Sequence, residues 1–195
     1  MAILASTFIH TDFGRFRVCY HKSKAGICIS FSKGDLSKNI PIIRFHSACL
    51  FGEAFHSLHC DCDSQIINTM RLIKRYGRGM IVYTYQEGRG IGLEKKIKAM
   101  EVQRVENCDT VEAFKKLGFN RPDYRHYKES IDALKDLKVS ETIMTFSGSP
   151  RKIKIMEDAG YIIKKIIKSY KYKKHLSKLA KEEIKVKEQK MGYIY

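Results

Sequence analysis

The sequence predicts an α/β protein: a layered α-β-α domain with a mixed sheet, a strand-rich N-terminal part and a helical C-terminal tail. Three observations carry that expectation. Short runs rich in β-branched and aromatic residues occupy the first 45 positions, an apolar run at 80–85 leads directly into a glycine-rich loop and a helical stretch, and helical and extended patterns alternate over 110–167. With 195 residues and 44% hydrophobic content the chain can bury one sizeable core. No low-complexity stretch or internal repeat divides it, so 1–195 is expected to form a single domain, with 168–195 as a basic C-terminal tail.

Residues 16–20, 26–31 and 40–45 read as antiparallel strands separated by lysine-, serine- and glycine-rich turns. After Cys49 the pattern turns helical, over 48–58 and again over 64–76, the second helix closed by Gly77 and Gly79 where a C-cap belongs. Residues 80–85 are of strand length, Gln86 to Gly92 form the loop, and a helix begins near Leu93. Three further helices are expected at 110–117, 127–137 and 150–159, with strands at 142–146 and 161–167, and a terminal helix in the lysine-rich tail.

Cys49, Cys60 and Cys62 stand in a C-x10-C-x-C pattern, and two thiolates one residue apart can turn toward a single ion. A closed structural zinc site wants four protein ligands, and the fourth cysteine is missing, so the pattern favours an open site with room for water. His46, His56 and His59 lie close enough in sequence to complete a closed one instead. The H-x-E and P-C-x-x-C pattern of zinc deaminases is absent. An open site would lower the pKa of a bound water toward about 7 and so point to hydrolysis, with Glu87 as a nearby acid or base. Cys19, Cys28 and Cys108 stand alone and are assigned to the core.

Glu87-Gly88-Arg89-Gly90-x-Gly92 precedes a helix, and its glycines let backbone N–H groups approach an anion. It is neither a P-loop nor a complete G-x-G-x-x-G. A plain tight turn is the competing reading, and Arg89 favours phosphate. The net charge is +16, and half of it lies in residues 161–195, which hold eleven Lys against three Glu. That distribution suits either a solvated lysine-rich face or attraction of a polyanion. No apolar run approaches the length of a membrane span and the first residues lack a signal-peptide layout, so a cytoplasmic protein with reduced thiols and no membrane partner is expected.

Taken together, these motifs resemble GTP cyclohydrolase II. The resemblance is carried by Arg44-Phe45-His46-Ser47-Ala48-Cys49-Leu50-Phe51-Gly52-Glu53-Ala54, by His59-Cys60-Asp61-Cys62 with Gln65, and by Gln86 to Leu93. It continues through Asp109-Thr110-Val111-Glu112-Ala113, Leu117-Gly118-Phe119, Asp123-x-Arg125, Ser149-Pro150-x-Lys152 and Lys190-Met191-Gly192, in order across nearly the whole chain. It implies hydrolytic opening of the guanine imidazole ring of GTP, or of a related purine nucleotide, with loss of formate from C8 and release of pyrophosphate, at the start of riboflavin synthesis. One Zn2+ per chain would be held by Cys49, Cys60 and Cys62, with Mg2+ on the triphosphate. Arg44, His46, Ser47, Gln65, Glu87, Gly88, Arg89, Thr110, Ser147 and Lys152 would contact the nucleotide. Asp123 and Arg125 would be catalytic, described for the family as a base and a nucleophile toward the α-phosphate. An arginine stays protonated, which makes a positional and charge-stabilising role for Arg125 physically easier. A homodimer is expected, and nucleic acid is not an expected partner of such an enzyme.

Departures from the family pattern cluster around the substrate. Ala48 replaces a glutamate, Asp63 a glycine, and Ser147-Gly148-Ser149-Pro150 stands for Thr-Asn-Asn-Pro, with one extra residue before Asp123. Met100 stands where the family carries a tyrosine near the zinc, and a thioether cannot donate that hydroxyl's proton. The expectation is that ring opening proceeds while the hydrolysis expelling formate is impaired, leaving a formamidopyrimidine nucleotide; simple packing of Met100 in the core is the competing reading. The alternative function is a catalytically weakened paralogue whose zinc is structural and which binds RNA or a protein partner.

Overall fold

The computed structural model describes residues 2–168 and 176–194, so part of the expected tail lies outside the described residues. The N-terminal third is three long strands, β1 (Ala2–Thr11), β2 (Gly14–Ser23) and β3 (Gly26–Lys33), followed by β4 (Ile42–Ser47). One helical turn, α1 (Leu50–Glu53), precedes α2 (Cys62–Tyr76), β5 (Gly79–Thr84), α3 (Leu93–Glu106) and α4 (Thr110–Lys116). Then come α5 (Lys128–Asp136), β6 (Thr142–Thr145), α6 (Pro150–Asp158), β7 (Ile162–Ile166) and α7 (Lys178–Met191). No helix among the described residues is long and apolar enough to cross a membrane.

The seven strands of the described residues join one mixed sheet in the order β1-β2-β3-β5-β4-β6-β7. The first four in that order pair antiparallel, whereas β4 pairs parallel to β5 and β6, and β6 parallel to β7. The expected fully antiparallel start is thus corrected at β4. β5 inserts between β3 and β4, and the long link between those two strands lets β4 run beside strands that helices cover on both faces. That double cover explains why β4 and β5 are buried almost throughout and show no alternation.

One face packs Ile43, Phe45, Met80 and Val82 against Tyr127, Ile131 and Leu134 of the α5 region and Met156 of α6. The other sets Ile42 and Ile81 against Ile73 of α2. A third small cluster of Ala99, Ala113 and Phe114 joins α3 to α4 beside the sheet. Cys19 and Cys28 are fully buried as expected, but Cys108 is only partly buried, because it sits in the exposed turn between α3 and α4.

β1 has no counterpart among the expected strands. It lies at the sheet's edge and is exposed along most of its length, so no apolar alternation marks it. The helix expected over 48–58 shrinks to α1. Continued to Leu58, it would carry the chain about 14 Å from Cys49. Instead the loop doubles back and brings the Cys60 sulfur to 3.6 Å from that of Cys49.

Candidate active site

β4, β5 and β6 run parallel, and their carboxyl ends open on the same side, where open α/β sheets place their ligands. The chain leaving β4 delivers Ser47 and Cys49, that leaving β5 delivers Glu87 to Arg89, and that leaving β6 delivers Ser147. A cavity of about 630 Å3 lies beyond them. Most of the residues expected at the site line it, from Arg44, His46, Ser47 and Gln65 through Thr110, Arg125 and Lys152, Met100 included. Asp123 and Ser147 do not. Asp123 lies behind Arg125, and Ser147 lines a small adjoining cavity shared with Arg44, Gln65 and Lys152.

Cys49, Cys60 and Cys62 bring their sulfurs within 4.8 Å of one another, the only such cluster of potential ligands among the described residues. Tetrahedral zinc with Zn–S near 2.3 Å separates its sulfurs by about 3.8 Å, so the Cys49–Cys60 spacing of 3.6 Å fits such an ion. Gly52 adds an independent sign of fit: a Cβ there would stand 2.7 Å from the Cys60 sulfur and 3.2 Å from that of Cys49. Hydrogen bonds from Cys60 and Cys62, with the Lys96 ammonium nearby, hold the Cys49 thiol far below its ordinary pKa. The same bond, with burial, pushes Cys60 up to about 11.

None of the three histidines joins the cluster. His46 Nδ1 accepts from Arg44 Nε at 3.1 Å, which fixes the tautomer, so its Nε2–H donates to Glu53 at 2.8 Å. Burial drives His46 down to about 4, so the ring is neutral. His56 is exposed 3.7 Å from Asp63, and His59 meets Ser57. Among the described residues the three thiols have no fourth ligand beside them, an arrangement that suits an open site rather than a closed one.

Glu53 was not singled out in the sequence, yet it braces this wall. It accepts from His46, from the Cys49 N–H at 3.0 Å and from the Tyr83 hydroxyl at 2.8 Å. Its place four residues after Cys49, one helical turn on, was the available signal. Arg44 donates to Gln65 and, at 2.7 Å, to the Phe146 carbonyl, and Gln65 in turn donates to Asp61 at 2.6 Å.

The turn Glu87–Gly90 carries three residues with φ in the left-handed region, Gly88 at 61°, Arg89 at 57° and Gly90 at 88°. For arginine that conformation costs on the order of 1–3 kcal/mol and persists only where the surroundings impose it. Tyr124 N–H donates to the Arg89 carbonyl at 2.9 Å and pins the turn to the Asp123–Arg125 segment. Glu87 accepts from the Leu50 N–H at 2.7 Å and from Lys96 at 2.7 Å. The Arg89 guanidinium pairs with Glu183 of α7.

Asp123 and Arg125 form a two-pronged pair at 3.0 and 2.7 Å. Although burial opposes it, Arg125 holds the Asp123 carboxyl below its ordinary range, so the pair is ionic. Arg125 also donates to the Tyr193 hydroxyl at 2.9 Å. Lys152 is buried and donates to the Phe45 carbonyl at 2.7 Å; burial, with Arg125 and Arg44 close by, holds its amine well below the usual lysine range. Met100 lines the cavity and belongs to none of the three core clusters.

α7 closes one side through Leu179, Glu183, Val186 and Lys187. Lys190 from its last turn meets Asp109 and Glu112 at the start of α4. Glu183, Lys187 and Tyr193 were invisible as site residues in a lysine-rich stretch whose pattern gives no hint of where it docks.

A family model described as GTP cyclohydrolase II matches residues 3–168. The chain is 36% identical over 194 residues to a GTP cyclohydrolase-2 of Archaeoglobus fulgidus, covering 98% of this chain and 49% of that protein. It is 36% identical over 189 residues to a riboflavin biosynthesis protein RibBA of Chlorobium phaeovibrioides, covering 95% and 45%. A GTP cyclohydrolase-2 of Tolumonas auensis is 40% identical over 163 residues, covering 82% and 81%. The chain therefore spans about half the length of the first two relatives and most of the third.

Proposed function

This chain belongs to the GTP cyclohydrolase II family, and from that premise we propose that it is a cytosolic, zinc-dependent hydrolase that opens the imidazole ring of GTP, or of a related purine nucleotide, in riboflavin synthesis. The observation that carries the reading is the meeting of the three-cysteine cluster with the Glu87–Arg89 turn, Arg125 and Lys152 in one cavity. Cys49, Cys60 and Cys62 would hold the zinc ion, which when bound would supply Lewis-acid activation of water.

The remaining residues bind, orient and balance charge. Arg89 and Arg125 offer cations, and the buried Lys152 amine a further hydrogen-bonding group, to a triphosphate that arrives with Mg2+, a hard cation suited to phosphate oxygens. Asp123 keeps the Arg125 guanidinium aimed into the cavity, where it stabilises charge developing as pyrophosphate departs. Arg44 and Gln65 hold each other in fixed orientation below the nucleotide, with the Ser47, Thr110 and Ser147 hydroxyls as polar contacts. Because the thioether of Met100 cannot donate a proton, the ring-opened product keeps its formyl group. The alternative of a structural zinc with an RNA or protein partner finds no support in this geometry.

Mass spectrometry of the products formed from GTP tests the proposal. The expected result is a formamidopyrimidine nucleotide and pyrophosphate, both lost after zinc is chelated. Stoichiometric formate would overturn formyl retention, and unreacted GTP in zinc-loaded protein would overturn the ring opening.

A further inference from the structure

Lys96 lies on α3, one helical turn before Met100, and both face the cavity. Its Nζ stands 3.4 Å from the Cys49 sulfur and 2.7 Å from Glu87 Oε1, and 4.7 Å above the Phe51 ring. The second oxygen of Glu87 accepts the Leu50 N–H, the residue next to Cys49, and its first also accepts the Gly88 N–H at 3.1 Å. A closed ring results: sulfur, ammonium, carboxylate, and back to the backbone that carries the sulfur. Gly88 makes room for it, since a Cβ there would meet the Lys96 Cβ at 2.9 Å.

We infer that Lys96 is a positioning residue that ties the Cys49 thiolate to the Glu87 carboxylate and tempers how strongly that thiolate donates to the bound ion. Three thiolates around a divalent ion leave a surplus of negative charge, which weakens the ion as a Lewis acid. A cationic N–H donor on one sulfur withdraws part of that density, as partners of metal ligands do elsewhere. Both Glu87 oxygens are engaged in the ring, so its carboxylate sets geometry for the turn and the metal loop together. The inference rests on the zinc reading.

Cobalt(II) replacing zinc gives a thiolate-to-metal charge-transfer band that reports electron density on sulfur. In Lys96→Met this band should move to longer wavelength, because the sulfur lone pairs lose a stabilising donor, and kcat should fall about 10- to 100-fold. Lys96→Arg, which keeps a charged N–H donor, should hold the wild-type band. A wild-type protein that takes up neither zinc nor cobalt overturns the zinc reading itself. Normal metal uptake with an unmoved band in Lys96→Met overturns the role of Lys96 alone, and Lys96→Gln is read the same way should the methionine variant not fold.

Discussion

The proposed end point of the reaction rests on one side chain, Met100. It lines the cavity and belongs to none of the core clusters, which supports a part in the chemistry. Met100→Tyr should bring back a donor and move the product from formyl-retaining toward formate-releasing, measured as formate per GTP consumed; no gain of formate would remove the residue from the explanation. The cysteine cluster was legible because metal chemistry constrains both residue type and spacing. Lys96 and Glu53 were not, because a lysine or glutamate on a helix is ordinary until its neighbours in space are known. Each lay one helical turn from a residue that had been singled out, so helical spacing was the signal that could have found them.

Among the elements, α7 has the most direct bearing on the site. Its Glu183 occupies the Arg89 guanidinium that a phosphate would need. A partly buried charged pair of this kind is worth on the order of 1 kcal/mol or more, so the substrate must displace a carboxylate to engage Arg89. Glu183→Gln should therefore lower KM for GTP about fivefold, a factor equivalent to about 1 kcal/mol, with little effect on zinc content. An unchanged or raised KM would mean that the pair supports the binding geometry instead of competing with it. The strongly patterned elements, α2 through β7, appear close to their expected places. Those that failed did so for separate reasons: α1 is cut short by the need to return Cys60 to Cys49, and β1 buries too little to leave a pattern.

At the scale of the whole sheet, β1 forms one edge. Among the described residues it pairs with β2 alone and exposes Leu4 (60%) and Phe8 (54%). Such an edge invites pairing, and a second copy of the chain is the expected occupant. Light scattering should give twice the mass of one chain, and Leu4→Lys, which sets a charge on the edge, should raise the dissociation constant at least about tenfold. A wild-type monomer at micromolar concentration would remove the edge as a dimer interface. At the opposite end, β7 carries Lys164 and Lys165 at its exposed positions, a common guard against the same pairing.

The parallel strands also divide labour between framework and chemistry. β4, β5 and β6 are held by their buried faces; Arg44, His46 and Ser47 of β4 reach the cavity, and the segments past the ends of β4 and β5 supply Cys49 and Glu87 to Arg89. Ala48 and the Ser147-Gly148-Ser149 run, two departures from the family pattern, fall just past such ends. These positions lie outside the strands whose buried faces hold the sheet. A lineage built on this scaffold can drift toward a new product or a new purine while its folding stays under the same selection, and duplicated copies can diverge in catalysis long before they diverge in shape.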